Sequence, residues 1–466
     1  MRNVTLDVVM RNCKVADPFG TFECDIGIEG GRIVELAKSI DAQADRVIDV
    51  SGKVVLPGAI DGHVHFEMVY GGEIRTADDF DSGTAAASCG GVTTVIDFVT
   101  PERGGSLLKA YDERLKAASG KARIDFGLHV CVVEWDRRIE EELEELVQSR
   151  GVSSIKVFTA YSRRGLMLED GSLVHVLRWA SRRGVLTLCH CENEWIVLKE
   201  TERLVGEGGA DVSRYEESRP PLSEAEAVLR LGYLSSVTGA EALVVHLSSG
   251  MGLDAVLRAR GMGAKLYVET CPHYLLLTKD VYARRDGGLF LMAPPLRSKE
   301  DNERLWSGLS GGLIDVVGSD HAPYSSQHKL RSRDFREIPG GVPGTEVILP
   351  VLFSEGVLKG RVTLEQLVRL TAYNPAKLYG LYPSKGRVAV GSDADLVLID
   401  PDRRVRLGKD LLHSRLDFSI YEGLEVTGYP VLTLSRGEVV SEDGVPTSRP
   451  GRGMYLYRSR RRQLKS

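Results

Sequence analysis

The chain has 466 residues, 42% of them hydrophobic and 27% charged, enough for one large domain and a smaller companion. Its 60 basic and 65 acidic residues leave a net charge of −5, which gives no basis for binding nucleic acid or an acidic membrane. The sequence holds no apolar run of about 18 residues, and the segment Met1 to Asp7 lacks the apolar core of a signal peptide, so a cytoplasmic protein is expected.

Residues 1–55 are rich in short strands and turns: Val8 to Val15, Phe22 to Ile28, Arg32 to Leu36 after Gly30-Gly31, and Val47 to Val50. From 56 to 382 the pattern changes. Eight apolar runs begin at Ala59, Val92, Phe126, Ser154, Leu186, Ala242, Lys265 and Ile314, and amphipathic stretches such as 138–149, 173–183 and 224–238 fall between them. Eight β-then-α units predict a closed (β/α)8 barrel of the TIM type. A doubly wound sheet would carry a glycine fingerprint after its first strand, and none is present. After residue 383 short strands return, and with residues 1–55 they predict one small β-sandwich domain formed from both chain ends, running to about 445. Residues 446–466 form a basic tail, with Arg458, Arg460, Arg461 and Arg462, expected to be solvated or an oligomer contact. The Gly- and Pro-rich stretch Ser325 to Thr345 is expected to be a functional wall or lid.

The chemistry concentrates at the strand ends, which is where barrel enzymes build their sites. His63 and His65, two residues apart on one strand, put both imidazoles on one face and make half of a metal site. His190 ends the fifth run, His246 the sixth and Asp320 the eighth. Taken singly, a histidine here reads as a core residue, and Asp320 as a helix cap. Cys189 and Cys191 face away from His190 and are set aside as ligands. The seven cysteines, scattered and odd in number, read as reduced thiols. Lys156, inside the apolar fourth run, resists a plain reading, because an unpaired lysine is almost never buried. Desolvation favours its neutral amine, which reacts with carbon dioxide to give a carbamate (N6-carboxylysine) with two oxygens able to bridge two cations. Four histidines, a carboxylate and a carbamate suit two divalent ions of the zinc type, about 3.5–4 Å apart in two-metal hydrolases. Asp320 is placed as the proton carrier, and the reaction class is hydrolysis of a C–N bond next to a carbonyl.

These residues resemble the cyclic amidohydrolases of the dihydropyrimidinase and D-hydantoinase group. The likeness runs from Asp61-Gly-His-Val-His65 to Asn374-Pro-Ala-Lys-Leu-Tyr-Gly380 and Gly391-Ser-Asp-Ala-Asp-Leu-Val397. It implies that His63, His65 and Asp320 serve one zinc ion, His190 and His246 the other, and carboxylated Lys156 bridges them. It also implies that Tyr161, in Lys156-Val-Phe-Thr-Ala-Tyr161, bonds the substrate and steadies the oxyanion. Ala293 and Gly340 stand where the group usually has serine and asparagine against the ring, at positions that act largely through backbone groups. Dihydroorotases and many allantoinases place an arginine shortly after the two histidines. Here Phe66-Glu67-Met68 follow, and the first arginine is Arg75, which argues for a neutral ring such as a hydantoin or a dihydropyrimidine. Allantoinase or dihydroorotase activity is the alternative within the family. A non-catalytic scaffold is the alternative outside enzymes, disfavoured because all six ligand types are present. The group's habit implies a homo-oligomer, tetramer or dimer.

Overall fold

The computed structural model describes residues 5–460. The eight apolar runs become eight parallel strands in chain order: Ala59–Val64, Val92–Val99, Asp125–Cys131, Ser154–Phe158, Leu186–His190, Glu241–Val244, Lys265–Thr270 and Val316–Val317. The eighth ladder is short, and closure onto the first strand comes from the Val64–His321 bridge, with His65 N donating to His321 O at 2.8 Å. The barrel is therefore nearly closed, as the sequence predicts. Helices over Arg137–Ser149, Asp170–Arg183 and Pro221–Thr238 cover its outside. Each begins slightly before its amphipathic pattern. In the first, the Asp136 carboxylate accepts the Ile139 N–H at 2.9 Å and fixes the start.

Period-two alternation decides what faces where. Ile60, Ile96, Phe98, Leu186, Leu188, Leu243 and Val316 fill the interior, while Val95, Ile155, Val157, Cys189 and Val244 pack under the helices. Lys156 shares its parity with Ser154 and Phe158, and His190 with Leu186 and Leu188, so both side chains enter the barrel.

The chain ends build a separate nine-stranded sheet, which takes in Val54–Pro57 between Leu6–Asp17 and Leu396–Arg406. One core cluster draws on strands along the whole path, from Ile33 to Leu434, so the sheet folds over its own interior. The Gly31 turn closes on the opposite end, where Arg436 O would meet a Cβ on Gly31 at 3.0 Å. Lys385 is buried between the two bodies, 2.9 Å from Asp125 on the barrel and 2.6 Å from Asp395 on the sheet.

The basic tail differs from the sequence expectation over its described part. Residues 454–458 run along the third strand, with Met454 O accepting from Phe126 N at 2.9 Å and Leu456 N donating to Phe126 O at 2.8 Å. Arg458 is buried beneath the barrel, donating to Leu128 O and, at 2.9 Å, to Ser154 Oγ. Burial lowers its pKa, and the phenols of Tyr455, Tyr111 and Tyr379 offset part of that effect. Arg460 pairs with Glu241. A charge run suggests solvation only while no polar hole lies nearby, and the barrel floor is such a hole. Arg461 and Arg462 lie outside the described residues.

Candidate metal centre

Two groups of donors converge at the barrel mouth. Nε2 of His63 and Nε2 of His65 lie 3.3 and 3.2 Å from Asp320 Oδ1. Opposite them, His190 Nδ1 faces His246 Nε2 at 3.0 Å. The His63 and His246 ring centroids are 5.5 Å apart, so the two groups are neighbours. Lys156 is 2% exposed. Its Nζ lies 5.5 and 5.3 Å from the Phe98 and Phe158 ring centroids, with no ion pair or hydrogen bond to a described residue. Burial lowers its pKa, and the charges of Asp320 and Glu269 only partly oppose this.

Carboxylates behind the histidines set their tautomers. Glu269 Oε1 lies 2.6 Å from His63 Nδ1, and Glu192 Oε2 lies 2.7 Å from His190 Nε2. Each holds the ring proton on the far nitrogen and turns a lone pair toward the centre. Arg219 clamps Glu192 through Nε at 3.0 Å. Burial alone would raise the Glu192 carboxyl, but Arg219 and His190 outweigh it and hold it well below the usual carboxylate range. Asp320 behaves alike: burial pushes upward, and the imidazoles of His63, His65 and His246 pull it far down.

This donor set fits divalent cations. With the His190 proton on Nε2, its Nδ1 presents a lone pair to His246. If the His246 proton sits on Nδ1, two lone pairs confront each other at 3.0 Å. If it sits on Nε2, the buried Nδ1, which has no partner, is left bare. The first state sets two lone pairs against each other in a dry site, and a cation between the rings turns that repulsion into coordination.

The backbone is bent to make this arrangement. Tyr161, His246 and Asp320 all adopt left-handed φ, at 72°, 41° and 49°. Such strain in residues with side chains clusters at functional sites. Glu194 holds the Tyr161 turn by accepting Tyr161 N–H at 2.7 Å and Ser162 N–H at 3.1 Å. Asp61 ties the two barrel ends together, accepting His63 N–H at 3.2 Å and Ser319 N–H at 3.1 Å. Between them Gly62 leaves room for the Tyr379 ring, which a Cβ would meet at 2.3 Å.

Ala293 and Gly340 lie beside each other, a Cβ on Gly340 standing 3.9 Å from Ala293 N. Lys329 pins the Ser325–Thr345 stretch to the segment before Ala293. Its buried Nζ donates to Leu291 O, to Pro339 O at 3.2 Å and to Gly341 O at 2.7 Å. Lys329→Met is expected to lower stability by about 1–3 kcal/mol in urea unfolding, because three buried carbonyls lose their donor. Neither Lys329 nor Glu192, Glu269, Arg219 and Asp61 stand out in the sequence reading. The two glutamates carry the signal that marked Lys156, a charge within or just past an apolar strand.

The amidohydrolase family model matches residues 54–440. The chain is 38% identical to the D-hydantoinase of Ralstonia pickettii over 98% of this chain and 100% of that protein. It is 37% identical to the D-hydantoinase of Geobacillus stearothermophilus over 97% and 96%. Among solved structures, a D-hydantoinase superposes with a TM-score of 0.95 at 37% identity, covering 97% of this chain and 99% of the other. The dihydropyrimidinase of Brevibacillus agri NCHU1002 superposes with 0.94 at 38% identity, covering 97% and 98%. Among the described residues no helix is long and apolar enough to cross a membrane. With the family comes a divalent metal centre, and with its hydantoinase and dihydropyrimidinase relatives comes a small-molecule substrate: the chain belongs to the amidohydrolase family and is a cyclic amidohydrolase of the hydantoinase and dihydropyrimidinase group.

Proposed function

We propose that the protein hydrolyses a neutral cyclic ureide, a hydantoin or a 5,6-dihydropyrimidine, to an N-carbamoyl amino acid at a binuclear zinc centre. The observation that carries this reading is the meeting of two donor groups, with contacts of 3.0–3.3 Å, beside a buried lysine that makes no ion pair or hydrogen bond to a described residue. His63, His65 and Asp320 would hold one ion and His190 and His246 the other, with carboxylated Lys156 between them. Bound there, the ions would supply a nucleophile at neutral pH and polarise the scissile carbonyl.

The protein's own groups do the rest. The Asp320 carboxylate takes the proton of the attacking water on the oxygen that does not face the histidines and passes it to the ring nitrogen as the C–N bond breaks. Tyr161 stays a phenol because burial raises its pKa, so its O–H donates to the oxyanion. Arg219 and Arg164, each 5.3 Å from the Tyr161 ring centroid, hold that ring in place. The backbone at Ala293 and Gly340 borders the ring. The reading includes a homo-oligomer, tetramer or dimer, which light scattering measures, and a cytoplasmic location.

Zinc-loaded protein assayed on hydantoin, dihydrouracil, allantoin and dihydroorotate tests the proposal. Hydantoin or dihydrouracil should open fastest. Preference for dihydroorotate would assign Arg164 to carboxylate binding, and turnover of none of the four would overturn the reading. Tyr161→Phe should lower kcat roughly a hundredfold, the effect of one oxyanion donor. Unchanged kinetics would remove Tyr161 from the mechanism.

A further inference from the structure

A second cluster of ligand-type side chains lies away from the barrel mouth. Cys89 ends the first barrel helix, Phe80–Cys89; Glu346 sits in the turn Thr345–Val347; His413 lies in the loop that follows Leu407. The Cys89 Sγ, a Glu346 carboxylate oxygen and a His413 ring nitrogen all fall within 4.8 Å of one another. Cys89 is 1% exposed, and the Glu346 and His413 side chains are 5% and 27% exposed. The cluster is thus buried on two sides and open at the imidazole.

The surroundings hold the donors in position. Glu346 Oε2 accepts the His413 backbone N–H at 2.8 Å, and Oε1 stands 2.7 Å from His413 Nδ1. The carboxylate is therefore fixed with one oxygen turned to the cluster. Around Cys89 Sγ stand Ser441 Oγ and Gly444 O, each at 3.5 Å, both from the last strands of the chain-end sheet and their turn. A further group points here. The Tyr429 hydroxyl is fully buried and has no hydrogen-bond partner among the described residues; burial raises its pKa, and the nearby Glu346 and Cys89 raise it further. A bound cation with its water would give that hydroxyl a partner.

We propose that Cys89, Glu346 and His413 form a further divalent-cation site, selective for a zinc-type ion, that ties the barrel to the chain-end sheet. Thiolate, imidazole and carboxylate together favour zinc over magnesium or calcium, which take oxygen donors. Three protein ligands leave the fourth position of a tetrahedral ion to water, on the side where His413 is exposed. The inference does not depend on the reading of the barrel mouth, whose proposed ligands contain no sulfur.

That difference supplies the test. The full-length protein is stripped with a chelator and reloaded with Co2+, and the near-ultraviolet thiolate-to-cobalt charge-transfer absorption is recorded beside the metal content. The wild type should show the band. Cys89→Ser should lose it and hold one cobalt equivalent fewer per chain. His413→Ala, a change at a partly exposed loop residue, should lose the same equivalent, and both variants should keep ring-opening activity. A wild type without the band would overturn the proposal and leave the trio a Glu–His ion pair beside a buried thiol. A band retained in Cys89→Ser would overturn it too, by assigning the sulfur ligand to another cysteine. Neither outcome bears on the barrel-mouth centre.

Discussion

Lys156→Ala is expected to empty the barrel-mouth centre and abolish ring opening in the same step. The side chain is 2% exposed, faces two phenyl rings and meets no counter-ion at contact distance. Desolvation therefore favours the free amine, which adds to carbon dioxide, with loss of a proton, to give a carbamate. On the proposed reading that anion bridges the two donor groups, so Lys156→Ala would leave the two ions without their shared ligand. Metal content and turnover, measured on the same preparation, should fall together. A variant that kept two ions and its activity would end the bridging role.

Asp320→Asn should lower kcat by roughly 10²–10⁴, the range of general acid–base catalysis, and should also weaken metal binding. The carboxyl is held ionised by three imidazoles in spite of its burial, so it enters the step unprotonated. Its left-handed backbone turns the side chain toward the His63 and His65 rings. The amide keeps the shape, loses the charge and cannot carry the proton. Single-turnover kinetics on metal-replete variant separates the two effects. A chemical step within about tenfold of wild type would move the proton transfer to another group.

Much of this was legible in the chain itself. His63, His65, His190, His246 and Asp320 each end an apolar run, and eight such runs in parallel order bring their ends to one mouth. Lys156 was legible because a lysine in a buried strand violates the cost of desolvation. The carboxylates behind the histidines share that signal, a charge in or just past an apolar strand, but which ring each one orients shows only through an imidazole nitrogen at 2.6 or 2.7 Å. Lys329 looked like one more cation in a loop rich in basic residues, and its three carbonyl acceptors come from two segments that only the fold brings together. Cys89, Glu346 and His413 lie on a helix end, a turn and a loop, and no local pattern relates them. The described part of the tail departs from the solvated expectation for a similar reason: charge runs are judged by composition, whereas the barrel floor that receives Arg458 belongs to the closed fold.

The position of Arg458 also orders events during synthesis. Strands from residue 396 onward complete a sheet begun at Leu6, and Arg458 stops the underside of a barrel whose staves were made long before. Until residues 396–460 have been made and released, the barrel lacks Arg458 at its floor and the Val54–Pro57 strand lacks its Leu396–Ile399 partner. Vectorial folding can then shape the staves, but the finished enzyme must wait for the last segment to emerge.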